Sequence, residues 1–538
     1  MLNATTLDSL GRSTHDAIVV GAGASGGLAA LLLAEAGLRV LVLDAGISQL
    51  QMRAPLRWIG SALVQQLGSS AGLRMLPPPL VPKARALIRL LGRWRQPIQS
   101  RCYAWERSPN AFVDDYDCPY GTPPDRPFHW FRARMLGGRL AIPGHGRQYY
   151  RLGPNDFHPA DGLSPPWPLS SGELDVWYES VERRIGLYGG EPESLTYLPD
   201  SELRNVLQPT PAERELKLAI KVRWPIVRPV LGRYAPPLNT LEAAAVTGCL
   251  QCRQGAIVRE IMVDNSAQVR GVIWIDDATR TEKKAFAPLV FLCASTLEST
   301  RLLLLSKSSR TPNGLGGASN VLAHFLMDHV LLRAEGVGPR LPDGPVPEEG
   351  QCIYLPRFDA RERLEIEPAR GFGVQIYRFP ALAGSSYFIA VSQAEALPRS
   401  ENRIELDKER RDAWGIPTIR IEYSHSIADR IRARDQNAAL REIAALAKVK
   451  LIRIDEQPAP PGTAVHESGT ARMGEDPAAS VLNPYNECWE ASGLYVTDGS
   501  CFPSQGMQNP TLTILALTAR ACDDALRRHA KIRPAAPR

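Results

Sequence analysis

The stretch Ala17–Gly46, AIVVGAGASGGLAALLLAEAGLRVLVLDAG, constrains the fold of this chain more than any other. Ala17–Val20 reads as a short apolar strand. Gly21-Ala22-Gly23-Ala24-Ser25-Gly26 is a GxGxxG turn. Ala24–Ala36 reads as an Ala/Leu-rich helix stopped by Gly37, and Leu38–Leu43 as a second strand ending in Asp44, 18 residues after Gly26. Each part has a physical task in dinucleotide binding. Gly21 permits the tight turn, Gly23 lets backbone approach a pyrophosphate, and Gly26 lets the helix pack on the strand. The helix start at Ala24 and Ser25 offers amide N–H groups and partial positive charge to phosphates. Asp44, followed by Ala45, can accept hydrogen bonds from ribose hydroxyls. The spacing does not separate FAD from NAD, and a Gly-rich turn without ligand is the competing reading.

The rest of the chain bounds the setting. At 538 residues it is too long for one core, so two domains or one elaborated α/β body are expected. A hydrophobic fraction of 44% and a charged fraction of 22% are those of a globular enzyme, and a net charge of +6 is too small for a nucleic-acid binder. Nine scattered cysteines form no disulfide framework. No signal-peptide pattern and no apolar run of membrane-spanning length is seen, so the expected location is cytoplasmic with no membrane span.

Residues 50–100 read as an insertion. Within it, 83–95 interleaves Lys83, Arg85, Arg89, Arg93 and Arg95 with Leu87, Ile88, Leu90, Leu91 and Trp94. This suits either a peripheral contact with a membrane surface or partner, or an ordinary helix with solvated arginines. Gly137-Gly138 and Gly144-His145-Gly146 mark two places where backbone can pass close to a flat ligand. Ser171–Gly186 reads as a capped helix. Ala256–Val263, Val269–Asp276 and Pro288–Cys293 read as strands, Thr296–Leu305 as a helix. Alternation in Asn402–Leu406 and Thr418–Tyr423 suggests half-buried antiparallel strands of a second domain. Cys249 and Cys252 form a CxxC with no second pair for a structural zinc; no metal is expected.

Near the C-terminus, Leu494–Val496 is a short strand ending in Thr497-Asp498-Gly499-Ser500. Asn509 and Pro510 read as the cap and first residue of a helix over 511–526. Val19–Gly27, Gly137-Gly138, His466–Pro477 (HESGTARMGEDP), Leu494–Thr513 and the segments LVFLCASTLESTRLLLLS and LMDH within 288–329 together resemble the glucose–methanol–choline (GMC) family of FAD-dependent alcohol oxidoreductases.

The resemblance implies an α/β fold with a Rossmann-type FAD-binding domain and an α+β substrate domain built on a large antiparallel sheet. It implies FAD segments at 14–165 (with an insertion over 50–130), 242–331 and 455–530, and substrate segments at 166–241 and 332–454. It implies His466 and Asn509, 43 residues apart, as the catalytic pair facing the flavin. Gly21, Gly23, Ala24, Ser25, Gly26, Asp44, Ala45, Gly137, Gly138, Gly144, His145, Val258, Asp498, Gly499, Asn509, Pro510 and Thr511 fall where the family contacts FAD. The flavin-linking histidine of pyranose oxidases falls near Ile142 here, so non-covalent FAD is expected.

The implied reaction is oxidation of an alcohol group, with a lean to sugars or glycosides from the FVDD-like stretch at 112–120, the Trp167-Pro168 pair and the WYESVE helix. His466 would take the hydroxyl proton, as an imidazole with a reference pKa of about 6.5 can. The electron acceptor is O2, a quinone or a redox protein. A non-sugar alcohol, a redox-neutral lyase and a non-catalytic flavoprotein are the competing readings.

Overall fold

A computed structural model describes residues 15–46, 76–90, 94–142, 148–159, 161–190, 198–221, 231–232, 236–345, 351–357 and 371–529. Its first layer is a five-stranded parallel sheet in the order Leu494–Val496, Leu289–Leu292, Ala17–Val20, Val40–Asp44, Leu250–Gln254. The first four strands are buried along their whole length, which is why they read as unbroken apolar runs rather than alternating ones. The helix Ala24–Glu35 follows the first strand. It shares a core with Leu241 and Ala244 of the helix Pro236–Val246, and with Ala521 and Cys522 of the helix Thr511–Arg528. Ala256–Val263, Val269–Asp276 and Glu282–Phe286 form a separate antiparallel meander. The run read as a strand at Pro288–Cys293 is Leu289–Leu292 of the parallel sheet.

The second layer is a five-stranded antiparallel sheet in the order Gln351–Arg357, Phe372–Pro380, Ser386–Ala394, Val330–Gly338, Lys450–Ile454. Strand side chains alternate between faces. Val330, Leu332, Val374, Ile376, Phe388 and Ala390 pack under the helices Pro211–Ile220 and Ile427–Leu446, through Leu216, Ile220, Leu440 and Ile443. Full burial of each large side chain contributes about 1.5–3 kcal/mol. The intervening residues, including Leu331, Gln375, Tyr377, Ile389, Val391 and Gln393, line a cavity on the other face.

Two further segments join the core beside the parallel sheet. The alternating runs near 402 and 418 form a two-stranded antiparallel sheet, Arg403–Arg411 with Pro417–Glu422, to which Gly121 adds a bridge at Arg420. Their apolar faces (Ile404, Ile419, Ile421) join the core that contains Ile18 and Leu292. The helix Ser171–Ile185, with a Ser170–Glu173 capping box and Gly186 at φ +64°, buries Leu174, Tyr178 and Val181 in that same core. Alternation reports that one face is buried but not which element buries it. Among the described residues no helix is long and apolar enough to cross a membrane. Val81–Leu90 is helical and exposes Leu87 and Leu90.

Candidate active site

The two sheets bound one continuous cavity of about 600 Å³. At one end lies the GxGxxG turn. Gly21 has φ +92°, and a Cβ there would come within 2.6 Å of the Cys293 carbonyl oxygen. A Cβ at Gly26 would lie 1.8 Å from the Gly21 oxygen, so helix and turn touch only because residue 26 is glycine. Gly23 differs, because its Cβ would meet nothing within 4 Å. That gap opens on the cavity at the start of the helix Ala24–Glu35, which has no side-chain cap. Gly138 folds over it, with φ +60° and its missing Cβ 3.3 Å from the Gly23 Cα. A bare glycine and unoccupied first-turn amides at a helix N-terminus fit a dinucleotide pyrophosphate such as that of FAD.

Asp44 ends the second strand at this end of the cavity. Its Oδ2 accepts the Ala22 N–H at 2.7 Å and its Oδ1 the Gly46 N–H at 2.7 Å. Burial raises its pKa from the ordinary carboxylate value, opposed by those two amides. Ala24, Ala45, Val258, Asp498, Gly499, Pro510 and Thr511 line the same cavity, whereas Gly26 and Gly137 do not. The Ser25 hydroxyl turns into the protein, 2.7 Å from Thr497 Oγ1 and 3.0 Å from Thr518 Oγ1, so only its backbone faces a ligand. The Asp498 carboxylate accepts the Ser299 hydroxyl and, at 3.0 Å, the Ser500 amide. Gly144 and His145 lie outside the described residues.

At the other end, His466 and Asn509 meet: Asn509 Nδ2 is 3.4 Å from His466 Nε2. Asn509 is not the helix cap that the sequence suggests. Pro510 occupies the cap position of Thr511–Arg528 with no side-chain bond. The Asn509 amide is taken instead by Gln375, whose Nε2 donates to Asn509 Oδ1 at 2.9 Å. A cap residue must turn its side chain back onto its own helix; here tertiary partners win it.

The hydrogen bonds around this pair run head to tail. Tyr150 OH donates to Gln148 Oε1 at 3.4 Å, and Gln148 Nε2 donates to the Tyr377 oxygen at 2.7 Å. Tyr377 OH donates to Gln375 Oε1 at 3.1 Å, which turns the Gln375 amide N–H towards Asn509. Asn509 therefore presents N–H, not oxygen, to His466. On the far side, His329 Nε2 is 3.0 Å from the Gly506 carbonyl, which can only accept, so Nε2 carries the hydrogen. Burial pushes His329 down to about 4, so the ring is neutral at ordinary pH and its Nδ1 is an acceptor. Its partner at 2.8 Å, His466 Nδ1, must then be the donor. A neutral His466 so arranged has its lone pair on Nε2, beside Asn509 and facing the cavity.

The backbone carrying His466 is strained and pinned. Val465, a β-branched residue, has φ +60°, a conformation costing about 1–3 kcal/mol. Asp328 offsets it by accepting the N–H groups of Gly462, Ala464 and His466 at 2.8, 3.3 and 3.0 Å. Burial and the nearby Glu467 charge raise Asp328 to about 7. Glu467 is itself paired with Arg139 at 2.8 Å. The sequence reading assigns no role to His329, although it lies in the LMDH segment, and none to Gln375, Tyr377 or Gln148. The available signal was the alternation Val374-Gln375-Ile376-Tyr377, which sets polar groups on the face opposite the apolar one.

A family model described as GMC oxidoreductase matches residues 398–518. The chain is 26% identical to 2-methyl-1,2-propanediol dehydrogenase of Mycolicibacterium austroafricanum over 96% of both chains. It is 24% identical to 6'''-hydroxyparomomycin C oxidase of Streptomyces lividus, over 94% of this chain and 90% of that one. Formate oxidase of Aspergillus oryzae, in a structure concerned with FAD modification, superposes with a TM-score of 0.63 at 14% identity, covering 96% of this chain and 99% of that one. The glycine cradle at one end of the cavity and the HESGT segment at the other thus stand in a chain whose C-terminal part matches the GMC oxidoreductase family model, and which is similar over nearly its whole length to these oxidoreductases.

Proposed function

We propose that this protein oxidises an alcohol group, with His466 as the base and Asn509 as the group that orients the hydroxyl. One observation carries the reading: the hydrogen-bond chain directs the His466 Nε2 lone pair and the Asn509 N–H into the cavity that also contains the glycine cradle. An alcohol oxygen entering between the two accepts the Asn509 N–H and gives its proton to His466 Nε2. The imidazolium so formed keeps its Nδ1–H on the neutral His329. Proton transfer to a positioned base contributes about 10²–10⁴-fold in rate. FAD, when bound along the cradle, supplies the hydride-accepting chemistry.

Gly21, Gly23, Gly138, Asp44, Asp498 and the Thr511 helix start are the groups we assign to holding it. We assign the parallel-sheet body to FAD and the polar face of the antiparallel sheet to substrate. Ile142, fully buried and apolar, offers no nucleophile where some relatives link the flavin, which supports non-covalent FAD; acid precipitation would then release all flavin to the supernatant. The substrate class that this reading favours is a sugar or glycoside hydroxyl, with O2, a quinone or a redox protein as electron acceptor, in the cytoplasm. Peroxide yield under air separates the first acceptor from the others. The reading is tested by anaerobic flavin bleaching against sugars, glycosides and simple alcohols. Wild type should bleach and His466→Ala should bleach at least a hundredfold more slowly; equal rates would remove His466 from the role.

A further inference from the structure

The antiparallel sheet presents a cation to the cavity that the steps above do not use. Arg333 follows His329 and Leu331 on the same face of the strand Val330–Gly338, and it lines the cavity. It stands opposite Val391, which in turn stands opposite Gln375. Two interstrand spacings, roughly 10 Å, therefore separate the Arg333 and Gln375 backbones. Gln375 holds Asn509, so a hydroxylated ring or short chain docked between His466 and Asn509 extends over Val391 towards Arg333.

Among the described residues the Arg333 guanidinium makes no hydrogen bond and no ion pair; only its backbone N–H is bonded, to Asp455 at 3.0 Å. The nearby carboxylates are engaged elsewhere. Glu335 accepts the Tyr387 hydroxyl, and Asp455 binds Arg453 at 3.2 Å. Burial lowers the Arg333 pKa from its ordinary value; Glu335 opposes this, and Arg85 and Arg89 add to it. Arg85 and Arg107 line the same cavity. Arg85 shares Glu106 with Arg89, at 3.5 and 2.8 Å, so one carboxylate serves two cations. A half-buried guanidinium with five donors and no protein acceptor is costly until an anion meets it.

We propose that the substrate is a hydroxylated anion and that Arg333 binds its carboxylate or phosphate group. This rests on the alcohol-oxidation reading and names the substrate class for it. A planar guanidinium matches both groups through paired N–H donors.

The test is equilibrium binding to the FAD-loaded full chain, read as a flavin difference spectrum, with glucose, glucuronate and glucose 6-phosphate. Wild type should bind one or both anions roughly 10- to 100-fold more tightly than glucose, and which of them identifies the group. Added KCl should weaken the anions and not glucose. Arg333→Gln should collapse the preference, and Arg333→Lys should restore part of it. Should Arg333→Gln fail to hold FAD, the wild-type preference, its salt dependence and the lysine variant still decide. Equal or weaker binding of both anions by wild type overturns the proposal, as does an Arg333→Gln variant that weakens all three sugars alike. The two readings fail separately: bleaching by neutral alcohols with no anion preference removes only this one, and undiminished bleaching by His466→Ala removes only the other.

Discussion

Replacing His329 by leucine should slow flavin reduction without dislodging the flavin. His329 sits outside the pair we assign to the reaction, but it is the acceptor that requires His466 to carry its hydrogen on Nδ1. Without it, the hydrogen can move to Nε2, the atom that must receive the substrate proton, and the buried Nδ1 loses its partner. A buried group left without its hydrogen bond costs about 1–3 kcal/mol. Charged to the barrier, that is roughly 5- to 150-fold in rate. The assay is stopped-flow anaerobic reduction by any alcohol that bleaches the wild type, with flavin content read from the resting spectrum. His329→Leu should fall in that range and His466→Ala below it. His329→Asn, which keeps an acceptor near the Nδ1 position, should recover part of the loss. A purely structural role would instead lower thermal stability and flavin content in both His329 variants, without the recovery. Reduction by His329→Leu at the wild-type rate would refute the tautomer reasoning.

Three further outcomes follow from the same geometry. Gly23→Ala should fold with a melting temperature near that of the apoprotein but bind FAD far more weakly, because its Cβ enters only the ligand gap. Gly26→Ala, whose Cβ would lie 1.8 Å from the Gly21 oxygen, should express poorly or unfold early; thermal melts with and without added FAD separate the two. Gln375→Leu should leave Asn509 free to rotate and lower the reduction rate roughly tenfold, with a smaller effect in Tyr377→Phe, both read in stopped flow. Stability should fall as pH drops from about 6.5 to about 4. His329 and His129 are both lowered to about 4, burial being the main cause, so the unfolded chain binds more protons than the folded one in that window. Each histidine contributes up to about 3 kcal/mol there. Asp328, raised to about 7, and Asp44, Asp115 and Asp498, also raised by burial, oppose them, whereas His15, His425 and His529 are lowered by burial too and act in the same direction as the first two. Melting temperatures at pH 7 and 4.5 check the sign.

Local sequence was enough wherever one residue type is the only one its backbone tolerates. The turn at Gly21–Gly26, the helix after it and the acid that ends the next strand are legible because glycine alone fits those contacts and because doubly buried strands must be continuously apolar. His466 and Asn509 were legible only through the family pattern that joins them across 43 residues. The surroundings that give them direction were not. His329, Gln375, Tyr377 and Gln148 lie 89 to 318 residues before His466, and nothing local marks them as neighbours. Alternation in Phe372–Pro380 predicts two faces but not that the polar one meets Asn509, and a helix-cap rule for Asn509 yields to a stronger partner from another sheet. Sequence by itself determined the strands, turn and helix around the GxGxxG motif, because those depend on short-range sterics and burial period. Only the tertiary structure decided which nitrogen of His466 faces the cavity, because a tautomer is set by the directions of hydrogen bonds from groups that the chain brings together on folding.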